Sequence, residues 1–176
     1  MKHKLLYLVF ILTFLLCGVS AYGQGSSLPG NKKPRTVDDY RPRTLKQIVS
    51  KAAAGGHRDK ESGVVLHGNI LPSRVKVIYA GSTRPLPQNR KDVLVKWAQR
   101  FAGDPAHYTV PYETEALFVE GRTKHWLAVR RDFAAGLTKE LKKGDAVFLY
   151  LIRLGGVQAA GKWEWLMLVE SYLPAN

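Results

Sequence analysis

Apolar and polar residues alternate with a period of two over several segments of the chain, and this pattern predicts β-strands. Residues 74–79 are the clearest case, because Val75, Val77 and Tyr79 lie on one face and Lys76 on the other. Residues 112–120 and 125–130 show similar alternation around a turn at 121–124, which predicts a β-hairpin. A shorter apolar run at 64–66 predicts one further strand.

The last two predicted strands, 146–153 and 162–172, are apolar on both faces. In the first, Phe148 and Tyr150 alternate with Leu149 and Leu151. In the second, one face carries Trp163, Trp165, Met167 and Val169, and the other carries Leu166 and Leu168. Strands of this kind are covered on both sides. We therefore expect a barrel interior on one side and helices or a partner chain on the other. The glycines at 155, 156 and 161 predict a loop between the two strands.

Helical spacing of apolar residues predicts helices near 45–52, 91–101 and 132–141. The stretch between 80 and 89 is rich in turn-forming residues and predicts a loop before the second helix. Strand, hairpin, helix, strand, strand is the order of a small oligonucleotide- and oligosaccharide-binding (OB) barrel. We predict an α+β fold with a small, partly closed, antiparallel OB-like β-barrel and two to three flanking helices. The helix at 91–101 has no counterpart in that plan.

The N-terminal 21 residues have the layout of a secretory signal peptide. Lys2 and Lys4 precede an apolar run from 5 to 16, and small residues follow up to Ala21. Cleavage after Ala21 is the first expectation and cleavage after Gly23 the second, while retention as an uncleaved anchor is a further alternative. The protein is expected to be exported and to be secreted or periplasmic.

Cys17 is the only cysteine of the chain. Lipid attachment at this residue is disfavoured, because such processing requires a small residue before the cysteine and Leu16 stands there. Cleavage of the signal removes Cys17, so the mature chain cannot form disulfides. Thiolate nucleophiles, iron–sulfur clusters and cysteine zinc sites are excluded for the same reason.

Composition divides the rest of the chain into two parts. Residues 22–43 contain mainly small, polar and basic residues, which predicts a flexible basic leader. Residues 44–176 are long enough for a single globular α+β domain with its own core.

The positive charge of the chain favours anionic partners. The 27 Lys and Arg against 14 Asp and Glu give a net charge of +13. Loss of the two signal-peptide lysines leaves 25 − 14 = +11 on the mature chain. Such a balance favours nucleic acid, anionic lipid headgroups or acidic glycans. A dispersed excess that only keeps the protein soluble is the alternative.

The sequence contains no recognisable catalytic, metal or nucleotide motif. Ser82 lacks the setting of a hydrolase nucleophile, and the paired glycines lack the spacing of a phosphate-binding loop. The mature histidines His57, His67, His107 and His125 are far apart in sequence. Glu113 and Glu115 share a strand face that we expect to be solvated. We predict no catalytic residues, no metal ligands and no cofactor.

Basic and aromatic residues are interleaved in the second half of the chain. This mixture is typical of sites for single-stranded nucleic acid or glycans, since aromatic rings stack on bases or sugars and cations meet phosphate or carboxylate. Trp126 is the best candidate for an exposed ring. The predicted ligand-binding residues are Arg122, Lys124, Trp126, Arg130, Arg131, Lys142 and Lys143. The alternative is that the tryptophans are core residues and the lysines only keep the protein soluble.

Three functions follow from these observations. The first is an exported, non-enzymatic binding domain for an anionic polymer or an envelope component. The second is an assembly subunit that uses the apolar outer face of residues 146–172 against another protein of the cell envelope. The third is a hydrolase whose carboxylates or histidines meet only in the fold. The sequence leaves the ligand and the oligomeric state open.

Overall fold

A computed structural model describes residues 35–52, 55–59 and 62–175 of the chain. The predicted signal peptide, Cys17 and residues 22–34 of the predicted leader lie outside these described residues. The strands are β1 (Arg41–Pro42), β2 (His57–Asp59), β3 (Val64–Leu66), β4 (Ser73–Pro85), β5 (Thr114–Glu120), β6 (Thr123–Val129), β7 (Ala146–Ala159) and β8 (Lys162–Pro174). The helices are α1 (Leu45–Ala52), α2 (Gln88–Phe101), α3 (Ala106–Thr109) and α4 (Arg131–Glu140).

Five strands form a small barrel in the order β4-β5-β6-β8-β7, and pairing of β4 with β7 closes it. Helix α4 connects the third and fourth barrel strands, as in an OB barrel. The predicted fold class, an OB-like α+β barrel with flanking helices, is confirmed. The barrel is closed rather than partly closed, and its β6–β8 pair is parallel while the other barrel pairs are antiparallel. Strands β1 to β3 and helices α2 and α3 are additions to the plan.

The barrel interior is filled by alternate residues of its strands. Tyr79 and Phe118 are the largest fully buried rings, and their centroids lie 5.7 Å apart. Leu45 and Ile48 of α1 and Leu137 of α4 belong to the same core. The backbone amides of Leu45 and Lys46 donate to the Glu120 carboxylate at 2.7 and 3.0 Å. This carboxylate ties the start of α1 to the end of β5.

A second core lies outside the barrel, against the outer face of β7 and β8. It contains Val93, Leu94 and Trp97 of α2, which pack with residues such as Ile152 and Leu166. The prediction that both faces of β7 and β8 are covered is therefore confirmed. Helix α2 and strand β3, from the same chain, supply the outer cover.

The glycines at 155 and 156 lie inside strand β7, so the predicted loop there was wrong. Gly155 pairs with Leu66 of β3, and a Cβ at this position would overlap the carbonyl oxygen of Val65. A Cβ at Gly156 would lie 2.7 Å from the ring of Trp165. These glycines allow a second strand and an indole to approach β7 closely. The connection to β8 is only the turn at Ala160 and Gly161, both at positive φ.

Strand β4 continues through part of the predicted loop at 80–89. The strand is irregular between Tyr79 and Thr83, with Gly81 at a φ of 75°, and then pairs with β5 up to Pro85. A bulge of this kind bends a strand and lets it continue. It lets β4 continue along β5 beyond the end of its pairing with β7, and it brings Arg84 opposite Glu115.

Residues 35–43, the last part of the predicted leader, lie against the barrel. Arg35 and Tyr40 both contact the Glu170 carboxylate at 2.7 Å, and Arg43 donates to the carbonyl of Pro72 at 2.9 Å. Strand β1 pairs in parallel with the start of β4. The packed part of the chain thus begins at least nine residues before the predicted domain boundary at 44.

Candidate functional site

The hairpin of β5 and β6 has one face in the barrel core and one face outside the barrel. The register pairs inward Ala116 with Leu127 and places outward Leu117 opposite Trp126. Lys124 lies two residues before Trp126 on the same outward face. The corresponding two strands form the usual ligand-binding face of OB barrels.

The indole of Trp126 on β6 is covered by a guanidinium from β4, which lies on the far side of β5. The central carbon of Arg84 lies 4.1 Å from the ring centroid of Trp126. Nε and Nη2 of Arg84 each lie 2.9 Å from Oε2 of Glu115. Arg84 of β4 lies directly opposite Glu115 of β5 in the sheet. From this position it reaches both the carboxylate of Glu115 and the ring of Trp126. The guanidinium is held against the ring, and its Nη1 makes no hydrogen bond or ion pair within the described residues.

Glu115 is fully buried, with 0% of its surface exposed. Its Oε1 forms an ion pair with Nη1 of Arg90, a buried residue of α2. Nη2 of Arg90 also donates to the carbonyl of Trp126 at 3.1 Å and to that of Trp165 at 2.6 Å. Burial lowers the pKa of Arg90, and the charges of Glu115 and Glu164 oppose this effect. The expectation that Glu115 lies on a solvated face was wrong, because two arginines neutralise it in the interior.

Arg90 bridges a gap between β6 and β8. These strands pair only at Ala128 with Leu168 and at Val129 with Val169. Toward the start of both strands, Arg90 donates to one carbonyl of each strand, and these two hydrogen bonds replace further backbone pairing between β6 and β8. The buried Arg90–Glu115 pair therefore holds the backbone beneath Trp126.

The structure spreads the seven sequence-predicted ligand-binding residues over three places. Arg122, Lys124 and Trp126 lie together at the turn and along the outward face of β6. Arg130 and Arg131 follow the other end of β6. Lys142 and Lys143 are exposed between α4 and β7, and the side chain of Lys143 lies beside Gly81. Only the first group adjoins the Arg84–Trp126 stack.

The two arginines at 130 and 131 are already paired. Arg130 meets the Asp132 carboxylate at 3.0 Å, and its guanidinium carbon lies 5.1 Å from the ring centroid of Phe133. Arg131 pairs with Glu113, which is exposed. Any ligand contact by these two arginines competes with an existing carboxylate.

An open groove of about 500 Å³ adjoins Arg84, at the place where β4 leads into α2. It is lined by Thr83, Arg84, Pro85, Lys91, Glu113 and Thr114. Arg84 and Lys91 line the groove, and Arg131 pairs with Glu113 of its lining. Three cations therefore lie in or beside it.

Other kinds of site find little support in the described part of the chain. Within residues 35–52, 55–59 and 62–175, no three metal-binding side chains converge. His67 is buried and His107 is exposed, and each contacts an aromatic ring. Over the same ranges, no helix combines the length and the apolar character needed to cross a bilayer.

Sequence reasoning missed Arg84, Arg90 and Glu115. One signal for Arg90 exists in the sequence, because helical spacing places it on the same face as Val93, Leu94 and Trp97. A cation on the apolar face of a helix requires a buried partner. No comparable signal identifies Arg84, whose position depends on the bulge in β4.

Comparisons of this chain with known protein families and with curated proteins found no match.

Proposed function

We propose that this chain is an exported, non-enzymatic binding domain that recognises an anionic polymer with the outward face of its β5–β6 hairpin. The observation that carries the proposal is the Arg84–Trp126 stack, held by buried Glu115 on the face where OB barrels bind their ligands. A flat guanidinium with a free edge suits carboxylate, sulfate or phosphate groups. Lys124 and Arg122 extend the positive charge along the hairpin.

The mature charge of +11, obtained as 25 − 14, supports the same partner class. The envelope assembly subunit is supported less well, because its proposed contact face on β7 and β8 is covered by α2 and β3 of the same chain. The hydrolase alternative gains no support from converging histidines, because no three His, Cys, Asp or Glu side chains of the described residues come together as a metal site would require.

The first test measures binding of residues 22–176, the product of the predicted cleavage, to a sulfated glycan and to single-stranded DNA. Affinity is followed by tryptophan fluorescence between low and high salt. We expect log affinity to fall linearly with log salt concentration for the preferred polymer. Equal affinity at low and high salt would contradict an electrostatic site.

Two variants separate a specific surface from net charge. Lys124→Gln and Lys139→Gln remove the same charge, the first from β6 and the second from α4. We expect Lys124→Gln to weaken binding more than Lys139→Gln. Trp126→Ala alone should weaken binding about tenfold or more, since each base stacked on an aromatic ring contributes about 1 to 3 kcal/mol. Equal losses for the two lysine variants would mean that only net charge matters.

A further inference from the structure

Two arginines are buried among the described residues, and they differ in their partners. Arg90 meets the Glu115 carboxylate and two backbone carbonyls. Arg153, which is 7% exposed, has only two long contacts. One is the carbonyl of Ile48 at 3.4 Å and the other is Nδ1 of His67, also at 3.4 Å. Its Nε has no hydrogen-bond partner, and no carboxylate in the described part of the chain contacts it.

The surroundings of Arg153 are also positive or neutral. Burial and the charge of Arg43 lower the pKa of Arg153. Burial and the charge of Arg153 lower the pKa of His67 to about 4, opposed by a hydrogen bond to the backbone of Ala52. Nε2 of His67 has no hydrogen-bond partner among the described residues. A buried guanidinium without an anion costs several kcal/mol. The fold therefore presents a charge that a bound anion would neutralise.

A row of aromatic rings leads from the surface to this charge. Arg58 is exposed and lies 5.8 Å from the ring centroid of Trp163. Trp163 and Trp165 are partly exposed and stack with centroids 5.3 Å apart and an angle of 20° between their planes. The centroid of Trp165 lies 6.2 Å from that of His67, which contacts Arg153. The absence of a side chain at Gly156 leaves room for the indole of Trp165.

We propose that Arg153 and His67 form the floor of a second ligand site, at the end of the barrel beside α1. The site takes the carboxylate or phosphate group of a sugar-sized ligand whose ring lies on Trp163 and Trp165. Arg153 supplies the charge and at least one free N–H donor, and the stacked indoles supply the apolar surface that sugar rings and bases prefer. Trp165 and Arg153 lie on the interior side of β8 and β7, whereas Trp126 faces outward. The site is therefore independent of the polymer-binding face.

The test uses the full chain, purified after export, and three probes at constant ionic strength. Glucuronate presents a carboxylate on a sugar ring, glucose 6-phosphate presents a phosphate, and glucose presents neither. We expect a saturable change in tryptophan fluorescence and a rise in Tm with one of the charged sugars. The probe that saturates at the lower concentration identifies the preferred anion. A glucose response equal to both charged probes, or no saturable response to any probe, would overturn the proposal.

Two matched variants locate the response. Arg153→Met removes the buried charge with little change in length, and Lys139→Met removes an equal charge at an exposed position on α4. We expect Arg153→Met to weaken the probe at least about tenfold, since one hydrogen bond to a charged group contributes about 1.5 to 3 kcal/mol. Lys139→Met should retain wild-type affinity. An unchanged response in Arg153→Met would contradict the assignment.

If Arg153→Met does not fold, Arg153→Lys decides the question. Lysine keeps the charge but loses the planar, multi-donor geometry of arginine. We expect a weaker probe response together with native circular dichroism. A wild-type affinity in Arg153→Lys would mean that the guanidinium does not contact the anion.

Discussion

The guanidinium of Arg84 lies on the indole of Trp126, with 4.1 Å between its central carbon and the ring centroid, and the same guanidinium binds buried Glu115. A charge on β4 is thus fixed on an aromatic ring of β6 by a carboxylate on β5. The stack itself contributes about 0.5 to 1 kcal/mol at a partly exposed site. Its larger consequence is orientation, because the charge is held in one place before any ligand arrives.

Substitutions of Arg84 should separate its charge from its planarity. Arg84→Met should lower the slope of log affinity against log salt concentration by about 0.7 to 0.9 for an anionic polymer, because one phosphate or sulfate contact is lost. Arg84→Lys should keep the slope but reduce affinity, since lysine cannot stack flat on Trp126. Salt titrations of both variants check this expectation. An unchanged slope in Arg84→Met would place Arg84 outside the binding surface.

Glu115 should be a determinant of stability. Glu115→Gln leaves Arg90 buried without its anion, and we expect it to cost about 3 to 5 kcal/mol in urea unfolding. Glu113→Gln, one residue before the start of the same strand, should change stability by about 0.5 kcal/mol or less because Glu113 is exposed. The double variant Glu115→Met with Arg90→Met should be more stable than Glu115→Gln alone. Similar losses for Glu115→Gln and Glu113→Gln would contradict the buried ion pair.

His67 should make the protein less stable in mild acid. Its folded pKa is about 4 against 6.5 for the unfolded chain, so the unfolded state binds more protons between these values. Stability should be complete above about pH 6.5, fall as the pH drops, and level off below about pH 4, with a total loss of up to about 3 kcal/mol.

The charge that acts on His67 is that of Arg153, which is itself affected by Arg43, and neither arginine changes its charge in this pH range. Urea unfolding at several pH values should show the trend in the wild-type chain and a flatter profile in His67→Gln. Identical profiles would indicate that His67 does not contribute.

Alanine at Gly156 should destabilise the barrel by about 1 to 3 kcal/mol, because its Cβ would press on the ring of Trp165. Gly55→Ala is the matched control, since nothing lies within 4 Å of a Cβ at that position. Addition of Trp165→Ala should recover part of the loss at Gly156, because it removes the obstructing ring. Thermal unfolding of the four proteins measures these differences. A Gly156→Ala variant as stable as Gly55→Ala would mean that β7 can shift away from β8.

Glu170 should control the attachment of residues 35–43. Glu170→Gln removes the carboxylate that Arg35 and Tyr40 share, so this segment should open more often. Trypsin should then cleave faster after Arg35 and Arg43. Arg41 precedes Pro42 and should resist cleavage in both proteins, which provides an internal control. Equal cleavage rates with and without the carboxylate would show that other contacts hold the segment.

The fold could be predicted from the sequence where the pattern is local. Val75, Val77 and Tyr79 mark their strand by alternation, and the two apolar faces at 146–153 indicate the barrel and its outer cover. The loop predicted from the glycines at 155 and 156 was wrong. These glycines make room for β3 and for the ring of Trp165, and local sequence does not reveal such contacts.

The outward face was predictable only in part. Trp126 was predicted because it alternates with Leu127 along its strand, and Lys124 because basic and aromatic residues are interleaved in this half of the chain. The bulge in β4 and the register of β4 with β5 bring Arg84 and Glu115 to this face. Neither the bulge nor the register can be read from local sequence periodicity. Glutamate is usually exposed, so its residue type gave no indication that Glu115 would be buried.

The bridge that Arg90 makes between β6 and β8 has a consequence for how the molecule folds. Strands β6 and β8 share two residue pairs, and the rest of their junction depends on a side chain from α2, a helix inserted between the first two barrel strands. The junction can therefore be completed only after α2 has docked. Because β6 and β8 are far apart in sequence, closing this junction is a non-local step. Without the inserted helix α2, the barrel would lack the side chain that connects β6 to β8 beyond their two paired residues.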